Sequence, residues 1–286
     1  STNLKNPKNL KTIHLDGLST IGIPKKLKGL THPFKYNDIN SFRNIIKNNP
    51  GIGTVFMEVE RNEKPKKNFL KKIREITYKK NIVLIFDECS SGFREVLGGI
   101  HKKYKVYPDL AMFSKSIGNG YPITVLAGKS KIINESYKTF ISSTYWSERI
   151  GPTAALATIE EMERIKSWQI IVKKGKYLRN KIAKLSKKHK IKLKLNESFS
   201  IINFKIKGKY NQIIYKNFIS QEMLKKKIIC NDTIYVSVSH TKKIIDKYLN
   251  ELDKVFKKMN LYEKNEELFV KLEQDLSNAE FFKRLN

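Results

Sequence analysis

Apolar positions along the first half of the chain alternate between two spacings. Residues 53–60, GTVFMEVE, and 82–88, IVLIFDE, are apolar runs too short for helices and rich in β-branched residues, which predicts buried strands. Between them, KNFLKKIREITYKK (67–80) sets Phe69, Leu70, Ile73 and Ile76 at helical spacing with lysines on the other face. DLAMFSK (109–115) and ITVLAG (123–128) predict two further strands. Strand, helix, strand, loop, strand is the order of an α/β protein whose mostly parallel sheet is joined by crossover helices. From Gly151 the spacing changes. Residues 152–189 predict one long helix, with Pro152 suited to its first turn. KIKLKL and SIINFKIK then predict strands, QIIYKNFISQEMLKKK a helix, TIYVSVS a strand and residues 241–258 an amphipathic helix. The expected organisation is a large domain over residues 1–160 and a smaller α+β domain over 161–286, ending in a helical tail from about Asn265.

Composition narrows the function classes. With 286 residues, 40% of them hydrophobic, the chain can bury a sizeable core. No stretch reaches the about 20 apolar residues of a membrane span. The opening STNLKNPKNLKTIHLDG is polar, lacks the apolar segment of a secretory signal and has no initiator Met, so a fragment or a processed chain is expected. Cys89 and Cys230 stand far apart and outside any metal spacing, which fits a reducing cytoplasm. The five histidines, at 14, 32, 101, 189 and 240, show no ligand spacing either. A net charge of +30 raises the question of nucleic acid. Only eight of the 57 basic residues are Arg, however, and the lysines are spread along the whole chain. Sequence readers lean on Arg forks and local basic stripes; the expectation is a solvated lysine surface with weak, salt-sensitive attraction to polyanions and no specific nucleic-acid partner.

Glu58, Asp87 and Lys115 all fall at the ends of predicted strands, where open α/β sheets bind their ligands. Burying a carboxylate costs several kcal/mol, about 2–7 even for a neutral polar group, unless a partner meets it. Lys115 lies in FSKSIGNGYPI, with Gly118 and Gly120 allowing close backbone approach and positive φ. A lysine held at such a place is a candidate Schiff-base amine. The cofactor that uses a Schiff-base lysine together with a carboxylate on a pyridinium nitrogen is pyridoxal 5′-phosphate. The bland alternatives are a surface lysine and carboxylates that cap the following turn; the shared strand-end position favours the chemical reading.

The block FDECSSGFREVLGG, followed by PDLAMFSKSIGNGYPITVLAG, resembles the class III, fold type I, pyridoxal-phosphate-dependent aminotransferases, and most of all the branch of glutamate-1-semialdehyde 2,1-aminomutase. That branch reads Asp-Glu-Val-x-Thr-Gly-Phe-Arg, then Pro-Asp-Leu, then a Lys in a Gly-rich loop. Asp87, Glu88, Gly92, Phe93, Arg94, Pro108, Asp109, Leu110, Lys115, Gly118 and Gly120 stand in matching places. The resemblance runs on through SSTYWSERIGPTAALATIEEM and, less specifically, to IYVSVSHTKKIIDKYL.

The resemblance implies roles residue by residue. Lys115 is the lysine that forms the Schiff base and moves a proton between substrate carbon and cofactor, and Asp87 is the partner of the pyridine nitrogen. Cys89 replaces the Val that packs on the ring face. Thr144 binds the cofactor phosphate across a homodimer interface. Glu58 resembles a Glu-Pro strand end, with Val59 in place of Pro. Trp146-Ser147-Glu148-Arg149 replaces the common Gly-Asn-Pro, implying a differently shaped pocket, such as one for a sugar or polysaccharide precursor. Arg94 and Arg149 are candidates to grip a substrate carboxylate, with structural ion pairs as the alternative. The resemblance also implies a preceding segment with a phosphate loop and a ring-stacking aromatic residue, roughly the first third of a family member. The expected function is transamination between a small-molecule amino donor and a carbonyl acceptor. The alternatives are an aminomutase, an inactive fragment and a lysine-rich polyanion-binding protein.

Overall fold

The computed structural model describes residues 15–16, 24–27, 29–60, 63–141, 144–145, 147–265, 272 and 283–284. A short antiparallel ladder joins β1 (Leu15–Asp16) to β9 (Lys283–Arg284). Four strands, β2 (Thr54–Glu58), β3 (Val83–Asp87), β4 (Leu110–Phe113) and β5 (Val125–Gly128), form a sheet in the order β2-β3-β4-β5. A second sheet is antiparallel, with β7 (Ile201–Ile206) between β6 (Leu193–Leu195) and β8 (Thr233–Tyr235). The helices are α1 (Ile39–Asn48), α2 (Phe69–Lys79), α3 (Ser130–Ile133), α4 (Ile150–Ile165), α5 (Ser167–Lys188), α6 (Gln212–Leu224) and α7 (Lys242–Lys264). This is the mixed α/β fold expected from the strand and helix spacings.

Strand directions follow from connection length. The 22 residues between β3 and β4 allow a parallel pairing, in which Asp87 lies opposite Met112. The connection from β4 to β5 carries no helix, and the two strands pair antiparallel. Every residue of β5 is exposed. Along β3, by contrast, Leu84 and Phe86 are fully buried while Val83, Ile85 and Asp87 are half-buried.

Contacts divide the chain into two compact units: Ser1–Val55 with Pro65–Leu84 and Asp275–Asn286, and Phe56–Lys64 with Ile85–Gln274. In the first, Asp38 caps α1 by accepting from the amides of Asn40 and Ser41, satisfying two of its orphan donors. Phe34 packs edge-on against Phe42, and Tyr36 against Phe69. In the second, Leu178, Ile182, Ile202, Phe204, Phe218, Leu252, Phe256 and Met259 supply much of the core. Along α7 the buried residues Ile245, Leu249, Leu252, Phe256 and Met259 recur at three- and four-residue spacing, as an amphipathic helix requires.

The single long helix expected over residues 152–189 is two. The backbone turns left-handed at Lys166, φ +52°, whose amide closes α4 on Glu163 and Met162. Apolar spacing passes unbroken through this point, which is why it predicts continuity. Pro152 does sit in the first turn of α4. The strand expected over TIYVSVS stops at Tyr235, although Val236 still donates its amide to Ser200. Of the expected helical tail, residues 283–284 form the short strand β9 and not a helix; apart from these and residues 265 and 272 the tail lies outside the described residues, as do Trp146 and His14.

Candidate active site

The second compact unit brings the strand-end residues together. Asp87 closes β3, and the chain turns at once: Asp87 Oδ1 accepts the Cys89 amide at 2.9 Å, and Gly92 donates its amide to the Glu88 carbonyl at 2.8 Å. Lys115 follows β4 by two residues, and its Nζ donates to Ser90 Oγ at 2.6 Å. The Lys115 residue as a whole is exposed; its amine is the part drawn in toward this turn. The Cys89 thiol is influenced electrostatically by Asp87 and Lys115. Burial chiefly, then a hydrogen bond with Asp87 and its negative charge, push the thiol up to about 11; Lys115 pulls it down and Glu58 up. The sulfur therefore senses Asp87, Lys115 and Glu58 at once.

The two carboxylates that close β3 do different work. Glu88 is fully buried and is spent on the fold. It accepts from Ser91 Oγ at 3.1 Å and from the amides of Ile100 and His101 at 2.7 and 3.0 Å, and pairs with His101 Nδ1 at 2.8 Å. It thus pins a distant loop beneath the turn. Asp87, half-buried in a chain with 57 basic residues, has no ion pair among the described residues. Its carboxylate accepts from the Cys89 amide, two residues away, and also meets the Cys89 thiol. A carboxylate at the end of the strand next to the lysine's, with no ion pair among the described residues, is the kind of group that meets a pyridinium nitrogen. On this ground the residues present fit the cofactor.

The loop after Lys115 is built for close approach. A Cβ on Gly118 would come within 2.3 Å of the Tyr121 carbonyl oxygen, and Gly120 has φ +111°. Lys115 itself takes φ +41°, a region a lysine seldom occupies. Asn119 closes the turn by donating its amide to the Lys115 carbonyl, and Ser114 Oγ donates to the Ile123 carbonyl.

Other candidates lie elsewhere or do other things. Glu58 ends β2, half-buried, and engages other residues of the chain. Thr144 sits in an exposed turn ahead of α4. Glu148 caps α4, accepting from the Gly151 amide at 2.9 Å and from the Ile150 amide, so part of the departure from Gly-Asn-Pro serves the helix terminus. Arg149 is exposed, and its carbonyl accepts from Thr153. Arg94 is occupied structurally: its Nε donates to the Ser90 carbonyl at 2.7 Å, and its guanidinium lies 5.3 Å from the centre of the Tyr235 ring. Two residues escape a reading by pattern. Ser90 is a small turn residue with no spacing signal. Glu95 is joined to residues 198–200 only by the fold.

The profile of the family described as Aminotransferase class-III matches residues 62–256. The chain belongs to the class-III aminotransferase family. Among curated proteins, glutamate-1-semialdehyde 2,1-aminomutase of Saccharolobus islandicus (strain L.S.2.15 / Lassen #1) is 29% identical over 252 residues, 82% of this chain and 59% of that protein. The 3-aminobutyryl-CoA aminotransferase of Cloacimonas acidaminovorans (strain Evry) is 36% identical over 163 residues, 54% of this chain and 39% of that protein. The chain thus spans about 59% of the length of the aminomutase relatives it matches. Among solved structures, the internal aldimine form of FumI from Sphingopyxis sp. MTA144, with PLP, superposes with a TM-score of 0.79 at 20% identity, covering 89% of this chain and 62% of that one. An omega-transaminase from Sphaerobacter thermophilus gives 0.74 at 17% identity, over 83% and 59%. These likenesses place the fold among the fold type I transaminases. The class-III profile spans Asp87, Cys89, Lys115 and Thr144, and begins beyond Glu58.

Among the described residues no group of three or more His, Cys, Asp and Glu is placed to hold a metal ion. No described helix is long and apolar enough to cross a membrane.

Proposed function

We propose that the protein to which this chain belongs is a pyridoxal-phosphate-dependent aminotransferase that moves nitrogen from a small-molecule amino donor to an aldehyde or ketone. The observation that carries this reading is a placement: Asp87 closes β3, Lys115 follows the neighbouring parallel strand β4 by two residues, and half-buried Asp87 has no ion pair among the described residues. When bound, the cofactor supplies an aldehyde that exchanges between amines and a ring that withdraws electrons from the substrate carbon. Lys115 provides the amine that anchors it. The same amine, when free, would be the base that takes a proton from the donor's α carbon. Asp87 would hold the ring nitrogen in its protonated form, and Cys89 would pack against the ring. Glu58 contributes charge at the edge of the site. Thr144 reaches the cofactor phosphate of a second subunit, so the working unit is a homodimer. We assign it to the cytoplasm and retain the division at residue 160 between cofactor-binding and smaller domains as part of the same reading.

The aminomutase is the second reading, favoured by the Saccharolobus relatives. Both use the same residues. They separate on whether a free amino donor is consumed. The test is turnover by the purified chain, together with any coding sequence upstream of Ser1, supplied with cofactor, donor and acceptor. Turnover that requires a separate donor and stops in Lys115→Ala supports transamination, and donor-free isomerisation supports the aminomutase. A protein that binds polyanions in a salt-sensitive way and never takes up the cofactor overturns both.

A further inference from the structure

We propose that Ser90 is a positioning residue for the Lys115 amine, holding it over the turn after β3 in both of its protonation states. The inference rests on the reading of Lys115 as the cofactor lysine. Ser90 is 6% exposed, and its Oγ meets Lys115 Nζ at 2.6 Å across 25 residues of chain. The backbone that carries the hydroxyl is held in turn. The Ser90 carbonyl accepts from Arg94 Nε at 2.7 Å, and the Arg94 guanidinium rests over the Tyr235 ring. A series of contacts thus runs from β8 through Arg94 and Ser90 to the lysine.

The chemistry explains why a serine suits this place. A lysine amine on its flexible four-carbon stem gives up rotamer freedom whenever it is held. A hydroxyl accepts a hydrogen bond from the ammonium and donates one to the neutral amine. A lysine that must release and regain a proton keeps the same partner throughout. A carboxylate here would favour only the charged form, and an apolar residue would hold neither.

Purified wild-type chain, Ser90→Ala and Ser90→Thr are compared by two labels. The first, without cofactor, is a short pulse of an amine-acetylating reagent at pH 8, read by peptide mass spectrometry at Lys115 against the exposed Lys131 and Lys187. The second is capture of added pyridoxal 5′-phosphate by borohydride, read at Lys115. In Ser90→Ala the freed amine acetylates faster, by about tenfold, the effect expected of losing one hydrogen bond to a charged group. Capture of pyridoxal phosphate slows, and Ser90→Thr restores both rates. Loosened structure alone would raise both rates and those of the control lysines. Should the controls accelerate in Ser90→Ala, Ser90→Cys, which keeps the volume and weakens the acceptor, replaces it with the same directions expected. Unchanged acetylation of Lys115 with steady controls overturns the role of Ser90, and selective capture on Lys115 in that case leaves the cofactor reading standing. Faster acetylation with no selective capture in the wild type overturns the cofactor reading and leaves Ser90 as the partner of the amine.

Discussion

Glu95 offers the sharpest stability prediction. The residue is 6% exposed, and its Oε1 accepts from Ser198 Oγ, the Phe199 amide, the Ser200 amide and Ser200 Oγ at 2.9–3.0 Å, while Oε2 pairs with Lys103 at 3.0 Å. Burial by itself would raise its pKa, but the Lys103 charge and these hydrogen bonds outweigh burial and bring the carboxyl down from 4.5 to about 2. At about 1.4 kcal/mol per pH unit, a native carboxyl at about 2 against 4.5 in the unfolded chain contributes about 3 kcal/mol. Because the native pKa is the lower one, that stability is fully present above pH 4.5 and is lost as pH falls toward 2. Urea unfolding of wild type and Glu95→Gln at pH 7 and at pH 3 reads the difference. Glu95→Gln is expected to be less stable at pH 7 by about 3 kcal/mol, with the gap shrinking markedly at pH 3. Other carboxylates with lowered pKa, Glu222 and Asp253 among them, titrate in both proteins and cancel in the difference. Equal stabilities at pH 7, or a gap that does not change with pH, would refute the argument that ties residue 95 to residues 198–200.

Three further outcomes follow from the site. Glu88→Ala leaves the buried amides of Ile100 and His101 without their acceptor and is expected to cost about 3 kcal/mol in a urea melt; a loss under about 1 kcal/mol would contradict its role as an anchor. Cys89, with its thiol pushed up to about 11, stays protonated at pH 8 and should alkylate slowly in the native chain, faster as pH rises toward 11 and fast once unfolded; native alkylation at the unfolded rate would show the thiol to be neither buried nor beside Asp87. Gly120→Ala, at φ +111°, should destabilise the loop after Lys115 by about 1 kcal/mol, seen as faster hydrogen exchange of its amides, and unchanged exchange would count against the strain.

What the sequence made legible was mostly local. The run IVLIFDE announced a strand because it is too short and too β-branched for a helix, and its polar end located Asp87. Gly118 and Gly120 marked the loop at Lys115, one through close approach and the other through its φ. Features set by distant contacts were not legible. Asp87 and Glu88 look equivalent as neighbours in sequence; only the fold, which turns residues 99–101 back onto Glu88, separates an anchor from a carboxylate with no ion pair among the described residues. The break at Lys166 depends on one left-handed residue that apolar spacing does not register. Arg94 could be read as a substrate grip until Ser90 and Tyr235 were seen to occupy it.

The proposed function stands or falls with Lys115 as the one amine, among 49 lysines, set aside for pyridoxal 5′-phosphate. The direct measurement is borohydride trapping of the cofactor on the native protein followed by peptide mapping, in wild type and in Asp87→Asn. A pyridoxyl group concentrated on Lys115 in the wild type, with a reduced yield in Asp87→Asn, is the expected result. Label scattered over surface lysines in proportion to their exposure would contradict it.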